Sequence, residues 1–147
     1  MRAVVTRVRS AAVDIDGKRV GEIGQGFLVL LGISVNDTER EADKIADRIC
    51  GLRVFEDENG KMNLAPDKVS AELLIVSQFT LYADCSSRRP GFTQAAGGAI
   101  AEPLYERCMA QCRARGFKVE HGVFGADMLV SSVNDGPVTL LLDTDTL

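Results

Sequence analysis

Apolar positions along the chain switch between continuous runs, alternation and a helical period, and each switch marks an element. Val4 to Ile15 is rich in β-branched residues and leads into Asp16-Gly17, a pair suited to a two-residue hairpin turn, with Lys18 to Ile23 as the return strand. Phe27-Leu-Val-Leu-Leu-Gly-Ile33 is a short apolar run bounded by Gly24 and Gly26 and by Asn36-Asp37. It predicts a central strand buried on both faces. Thr38-Glu-Arg-Glu41 is a capping-box pattern, and Ala42, Ile45, Ala46 and Ile49 then recur at i, i+3, i+4 and i+7 before Gly51. That spacing predicts an amphipathic helix.

Leu52 to Phe55 reads as a short strand, followed by a turn at Asp57-Glu-Asn-Gly60 and by Met62-Asn-Leu64. Leu73-Leu-Ile-Val76 is a second buried strand that turns abruptly polar at Ser77, Gln78 and Thr80, so the sheet delivers polar groups to a strand end. After a loop through Arg89-Pro90-Gly91, one helical face carries Ala101, Leu104, Tyr105, Cys108 and Cys112, with Gly116 as the stop. Pro103 is expected in the first turn of that helix, where no N–H is needed. Phe117 to Val123, Met128 to Val133 and Val138 to Leu142 predict three further strands, the last two joined across Asn134-Asp-Gly-Pro137. Strands outnumber helices and the second helix comes late. The pattern predicts an α+β or mixed α/β fold, a curved, barrel-like and mostly antiparallel sheet with two main helices.

Length and composition narrow this picture. One core in 147 residues buries about two thirds of the surface of the unfolded chain, so residues 1–147 are expected to form a single domain. The longest apolar stretch, Phe27 to Leu31, is far short of the roughly 18 to 20 residues that cross a bilayer. Arg2, Arg7, Arg9 and Asp14 interrupt the apolar core a secretory signal needs, so a cytoplasmic location is expected. Cys50, Cys85, Cys108 and Cys112 form no C-x-x-C pair and His121 is the only histidine, so reduced thiols and neither a metal nor a cofactor are expected. A net charge of −4 argues against a broad nucleic-acid surface but leaves room for a small RNA footprint. Arg88-Arg89, and Arg7 with Arg9, fit a solvated surface better than phosphate clamps.

Acyl chemistry needs a nucleophile, a stabiliser for the developing oxyanion and a means of alignment. Ser77-Gln78-Phe79-Thr80 could supply several of these, although a strand end that merely packs would look the same. His121 could serve a Ser-His-Asp arrangement, and Cys85 near Arg88 could be an activated thiol, yet a structural or exposed histidine and a plain exposed cysteine fit better. Asn134-Asp135-Gly136-Pro137 favours a turn. Alternatively, a cis Gly-Pro bond would present two carbonyls on one side, next to a position with no side chain.

Taken together, Ser77-Gln78-Phe79-Thr80-Leu81 and Asn134-Asp135-Gly136-Pro137-Val138-Thr139 resemble the two signature motifs of D-aminoacyl-tRNA deacylases. The similarity extends through Arg2-Ala-Val-Val-Thr-Arg-Val8, Gly60-Lys-Met-Asn-Leu64, Arg89-Pro90, Phe92 and Phe124-Gly-Ala-Asp-Met128. The resemblance implies a homodimeric hydrolase that cuts the ester between a D-amino acid, or glycine mischarged on tRNA-Ala, and the tRNA 3′ end. Ser77, Gln78, Phe79 and Thr80 would form the catalytic segment. Gly136-Pro137, with a cis peptide, would enter the partner's site and exclude L-amino acids, and the terminal 2′-hydroxyl would assist the chemistry. The chain departs from the family pattern at Cys85-Ser-Ser-Arg88, which is one residue short, at Gly91 and at Gly97-Gly98. Two other classes compete: a hydrolase using Ser77, Thr80 or Cys85 covalently, and a non-catalytic RNA-binding module.

Overall fold

Asp16 and Gly17 take positive φ angles of 50° and 77°, and the chain reverses between β1 (Arg2–Ile15) and β2 (Lys18–Ile23) as that pair predicts. β3 (Gly26–Gly32) continues along the same side of β1, with Ile23 opposite Ala11 and Gly26 opposite Val8. The coordinates are a computed structural model that describes all 147 residues. β4 (Phe55–Glu56) and β5 (Met62–Leu64) make a small separate hairpin around the predicted turn. β6 (Glu72–Ser77) runs parallel to β3, and β7 (Val119–His121) parallel to β6. β8 (Leu129–Asp143) lies antiparallel along the other side of β1.

This is the curved, mixed and mainly antiparallel sheet that the patterning predicts. It closes almost completely on itself, because a side chain at Gly21 of β2 would stand 2.5 Å from the His121 carbonyl of β7. Alternation divides the strands between two cores. Val5, Phe27, Val29, Leu31, Leu73 and Ile75 face α1 (Glu39–Gly51) and α2 (Gly98–Ala114), whereas Val8, Leu28, Leu74 and Val76 fill the sheet interior. The Thr38–Glu41 capping box forms as predicted. Gly116, at φ 92°, ends α2, and the Phe117 N–H donates to the Cys112 carbonyl. The four cysteines are free thiols, and Cys108 and Cys112 are buried on α2. No helix is long and apolar enough to cross a membrane.

Four expectations change. The strand expected over Leu52–Phe55 begins only at Phe55 and runs to Glu56, the two residues that lie opposite Leu64 and Met62. Pro103 stands in the second turn of α2, because Gly97 caps the helix and Gly98 begins it. The missing N–H leaves the Ala99 carbonyl without its helical donor. The strand expected over Phe117–Val123 shrinks to Val119–His121, the only part opposite β6. Above all, Asn134–Pro137 is not a hairpin turn. Fourteen residues of β1 offer one continuous partner, so the two expected strands merge into β8 and the turn-forming residues become a bulge. Arg7 alone faces the four residues Asp135 to Val138.

Candidate active site

The apolar run of β6 ends where its last residue, Ser77, still pairs with Leu31, and the Gln78 N–H donates to the Leu31 carbonyl at 2.8 Å. From there the chain turns into a 3-10 helix at Phe79–Tyr82. The Phe79 and Thr80 N–H groups open that turn and have no backbone acceptor. The Gln78 Nε2 donates to Thr80 Oγ1 at 2.6 Å. This strand end is firmly held from beneath: the buried Tyr105 hydroxyl of α2 donates to the Ile75 carbonyl at 2.7 Å.

Ser77, Gln78 and Phe79 line a pocket of about 350 Å³. Leu31, Val76 and Ile33 just past β3 form its sheet side, Ala101 of α2 and Ala96 just before that helix line it too, and Phe124 to Met128 with Val130 complete the lining. Gly125 takes φ 79°, which lets that last segment turn sharply over the cavity. Asp127 is the only ionisable side chain on the lining. Thr80 stands just outside, tied to the pocket through Gln78. His121 is exposed on β7 with its Nδ1 2.6 Å from the Gly122 carbonyl, and Cys85 is exposed in the following loop; neither lines the pocket. No cluster of three or more His, Cys, Asp or Glu side chains is placed to hold a metal ion.

Gly136-Pro137 is cis and exposed at the β8 bulge, and it does not line the pocket of its own chain. Arg7 supports this bulge from beneath. Only 5% exposed, it donates from Nη1 to the Val54 carbonyl at 2.6 Å and from Nε to the Asp135 carbonyl at 3.2 Å. Arg7 is therefore an internal strut rather than the solvated side chain its charge suggests.

A family model described as D-Tyr-tRNA(Tyr) deacylase matches residues 4–143, nearly the whole chain and every element just described. The chain belongs to this family. Proteins named D-aminoacyl-tRNA deacylase from Thermosipho africanus and Desulfatibacillum aliphaticivorans are 53% and 54% identical to this deacylase-family chain. The matches cover 98% of the chain and 97% and 99% of those relatives. Among solved structures, a protein titled c-Myc DNA Unwinding Element Binding Protein superposes with a TM-score of 0.92 at 40% identity, covering 98% of this chain and 99% of that one. A probable eukaryotic D-amino acid tRNA deacylase shares the fold, with a TM-score of 0.84 at 17% identity over 96% and 97% of the two chains.

Sequence reasoning about the site missed one part of the lining. Phe124-Gly-Ala-Asp-Met128 was legible as a motif shared with the deacylases, but nothing local showed that it folds over Ser77–Phe79. The part played by Arg7 was equally hidden, since a strand pattern does not reveal a bulge in the neighbouring strand.

Proposed function

We propose that this chain is a D-aminoacyl-tRNA deacylase, which hydrolyses the ester between a D-amino acid, or glycine carried on tRNA-Ala, and the 3′ end of tRNA. The observation that carries this reading is an apolar pocket roofed by Phe124 and Met128, opening beside two unpartnered N–H groups at a strand end. The flat π faces of a nucleobase fit such a pocket. With the terminal adenine inside, the ester would lie beside Ser77–Thr80, and the Phe79 and Thr80 N–H groups could receive the developing oxyanion. Gln78 would help to align the ester.

Water then attacks the ester carbonyl, the tetrahedral intermediate collapses, and the bond to the ribose 3′-oxygen breaks as that oxygen takes up a proton. The terminal 2′-hydroxyl assists by activating the water, or by first taking the acyl group onto its own oxygen while its proton passes to the 3′-oxygen, and water then cleaves the resulting 2′-ester. Side chains offer little alternative. The Thr80 hydroxyl already accepts a hydrogen bond from Gln78, and no histidine or lysine lines the pocket to deprotonate Ser77.

Chiral selection in this reading comes from a second copy of the chain, whose Gly136-Pro137 carbonyls meet the substrate α-amino group. An L-side chain collides with them and a D-side chain points away. Two observations support a dimer: Gly136-Pro137 is exposed and does not line its own chain's pocket, and the outer edge of β8 is unpaired with Leu129 and Leu141 76% and 82% exposed. Aminoacyl-tRNA is the partner and the cytoplasm the place of work. Deacylation of D- and L-tyrosyl-tRNA tests the proposal directly, with a D preference of about a thousandfold expected, equivalent to about 4 kcal/mol. Equal rates would overturn the gate, and inertness toward both would overturn the activity.

A further inference from the structure

Arg88 and Arg89 play no part in the chemistry above, yet they are held in a defined position. They stand exposed in the loop Asp84–Gly91, whose two ends exchange backbone hydrogen bonds at 2.8 and 2.9 Å. Inside the loop the Asp84 carboxylate accepts from the Ser86 N–H at 2.9 Å, and the Ser87 hydroxyl donates to the Arg89 carbonyl at 2.8 Å. Arg2, Arg19, Arg107 and Arg115 are each paired with a carboxylate. Arg88 and Arg89 have no such partner, as Arg40, Arg48, Arg53 and Arg113 have none, but they alone among these unpaired arginines are adjacent in sequence and sit in the loop that leads to Phe92, in a chain whose net charge is −4.

The loop delivers the chain to Phe92. The residues that follow are laced to the end of β3, with Val35 N–H donating to the Gln94 carbonyl at 3.0 Å and Ala96 N–H to the Ile33 carbonyl at 2.9 Å. Phe92 meets Phe79 edge to face, ring centres 5.1 Å apart, and both rings are exposed. Aromatic surface thus continues outward from the pocket wall at Phe79 to Phe92, and the unneutralised cations belong to the loop that closes at Gly91, one residue before Phe92. Single-stranded nucleic acid is recognised by this combination, in which bases stack on rings and phosphates meet free cations.

We infer that Phe92, Arg88 and Arg89 form an outer docking surface for the unpaired nucleotides immediately 5′ of the terminal adenosine. A base stacks on Phe92 and the adjoining phosphates pair with the two arginines. The inference rests on the reading of the pocket as the seat of the terminal nucleoside. It makes the substrate's RNA tail, beyond the reacting end, a source of affinity.

The test compares two substrates, D-tyrosyl-tRNA and 3′-O-D-tyrosyl-adenosine, which has the reacting end but no upstream phosphate. The double variant Arg88→Gln/Arg89→Gln should lower kcat/KM on the tRNA about tenfold, through KM, while its ratio to wild type on the adenosine ester stays near one. Its dependence on salt should also weaken, by about 0.7 in the log–log slope for each single-strand phosphate that an arginine no longer neutralises. Phe92→Ala should show the same confinement to tRNA, and Phe92→Tyr should restore activity by keeping the ring. Equal losses on both substrates, or no loss on tRNA, would overturn the inference while leaving the activity standing. A wild-type protein inert toward D-tyrosyl-tRNA would overturn both.

Discussion

Gly136 shows how much one residue can hold. Its φ of 122° lies where side chains are strained, and a methyl group there would stand 3.1 Å from Arg7 Nη2 and 3.0 Å from the Val138 nitrogen. Gly136→Ala must therefore move the bulge or Arg7 beneath it. A fall in kcat/KM toward D-tyrosyl-tRNA of about tenfold, the equivalent of about 1.4 kcal/mol, is expected in single-turnover assays. Unchanged rate and unchanged D-over-L ratio would remove the motif from the mechanism. Thr80 makes the opposite case. Its hydroxyl is occupied by Gln78, so Thr80→Ala should retain appreciable turnover, whereas a tRNA ending in 2′-deoxyadenosine and charged at the 3′-hydroxyl should react much more slowly. Single-turnover rates at saturating enzyme separate chemistry from binding. Full activity on the deoxy substrate together with a dead Thr80→Ala variant would favour covalent catalysis.

At the scale of elements, α1 and β6 show how local rules hold a remote site in place. The capping box ties Thr38 to Glu41 at 2.7 Å, and α1 braces α2 through Arg107, which donates to both Asp43 oxygens at 2.7 and 3.0 Å. α2 in turn carries Tyr105 beneath β6. Thr38→Ala should lower unfolding free energy by about 1 kcal/mol in urea titrations without changing the pocket's chemistry. Hydrogen bonds from Thr38 hold the Glu41 carboxyl below its ordinary range. The cap's contribution is therefore full above that range and is lost as pH falls through the lowered value, so the cost of Thr38→Ala should shrink in acid. A cost that stays constant down to the most acidic pH at which the protein folds would count against the box. Most of these elements were legible in the sequence because each follows from residues within a few positions. The exceptions were Pro103, shifted by a helix start set by Gly97, the strands over Leu52–Phe55 and Phe117–Val123, displaced and shortened to the residues with a partner strand, and β8.

For the whole molecule, the unpaired edge of β8 is the feature that a single chain leaves unresolved. A strand of 15 residues with exposed Leu129, Val130, Val133 and Leu141 is an open template for a partner. Leu141→Asp should weaken self-association by about thirtyfold or more, the equivalent of about 2 kcal/mol. Sedimentation velocity would show the dissociation, and deacylation should fall with it if each site needs its neighbour's Gly136-Pro137. A fully active monomer would refute the shared site.

The sequence by itself determined the order of elements, the buried faces of β3 and β6, the capped helix, the polar strand end at Ser77–Thr80 and the family to which these motifs belong. Those features depend on periodicity, turn chemistry and short motifs, which are properties of neighbouring residues. Tertiary structure decided the rest. It turned the Asn134–Pro137 segment from a turn into a bulge, because β1 is long enough to pair on both sides of it and Arg7 fills the gap. It also folded Phe124–Met128 over Ser77–Phe79 to make a pocket. Both outcomes depend on contacts between residues far apart in the chain, where side-chain volume and hydrogen-bond satisfaction across the closed sheet override local preference.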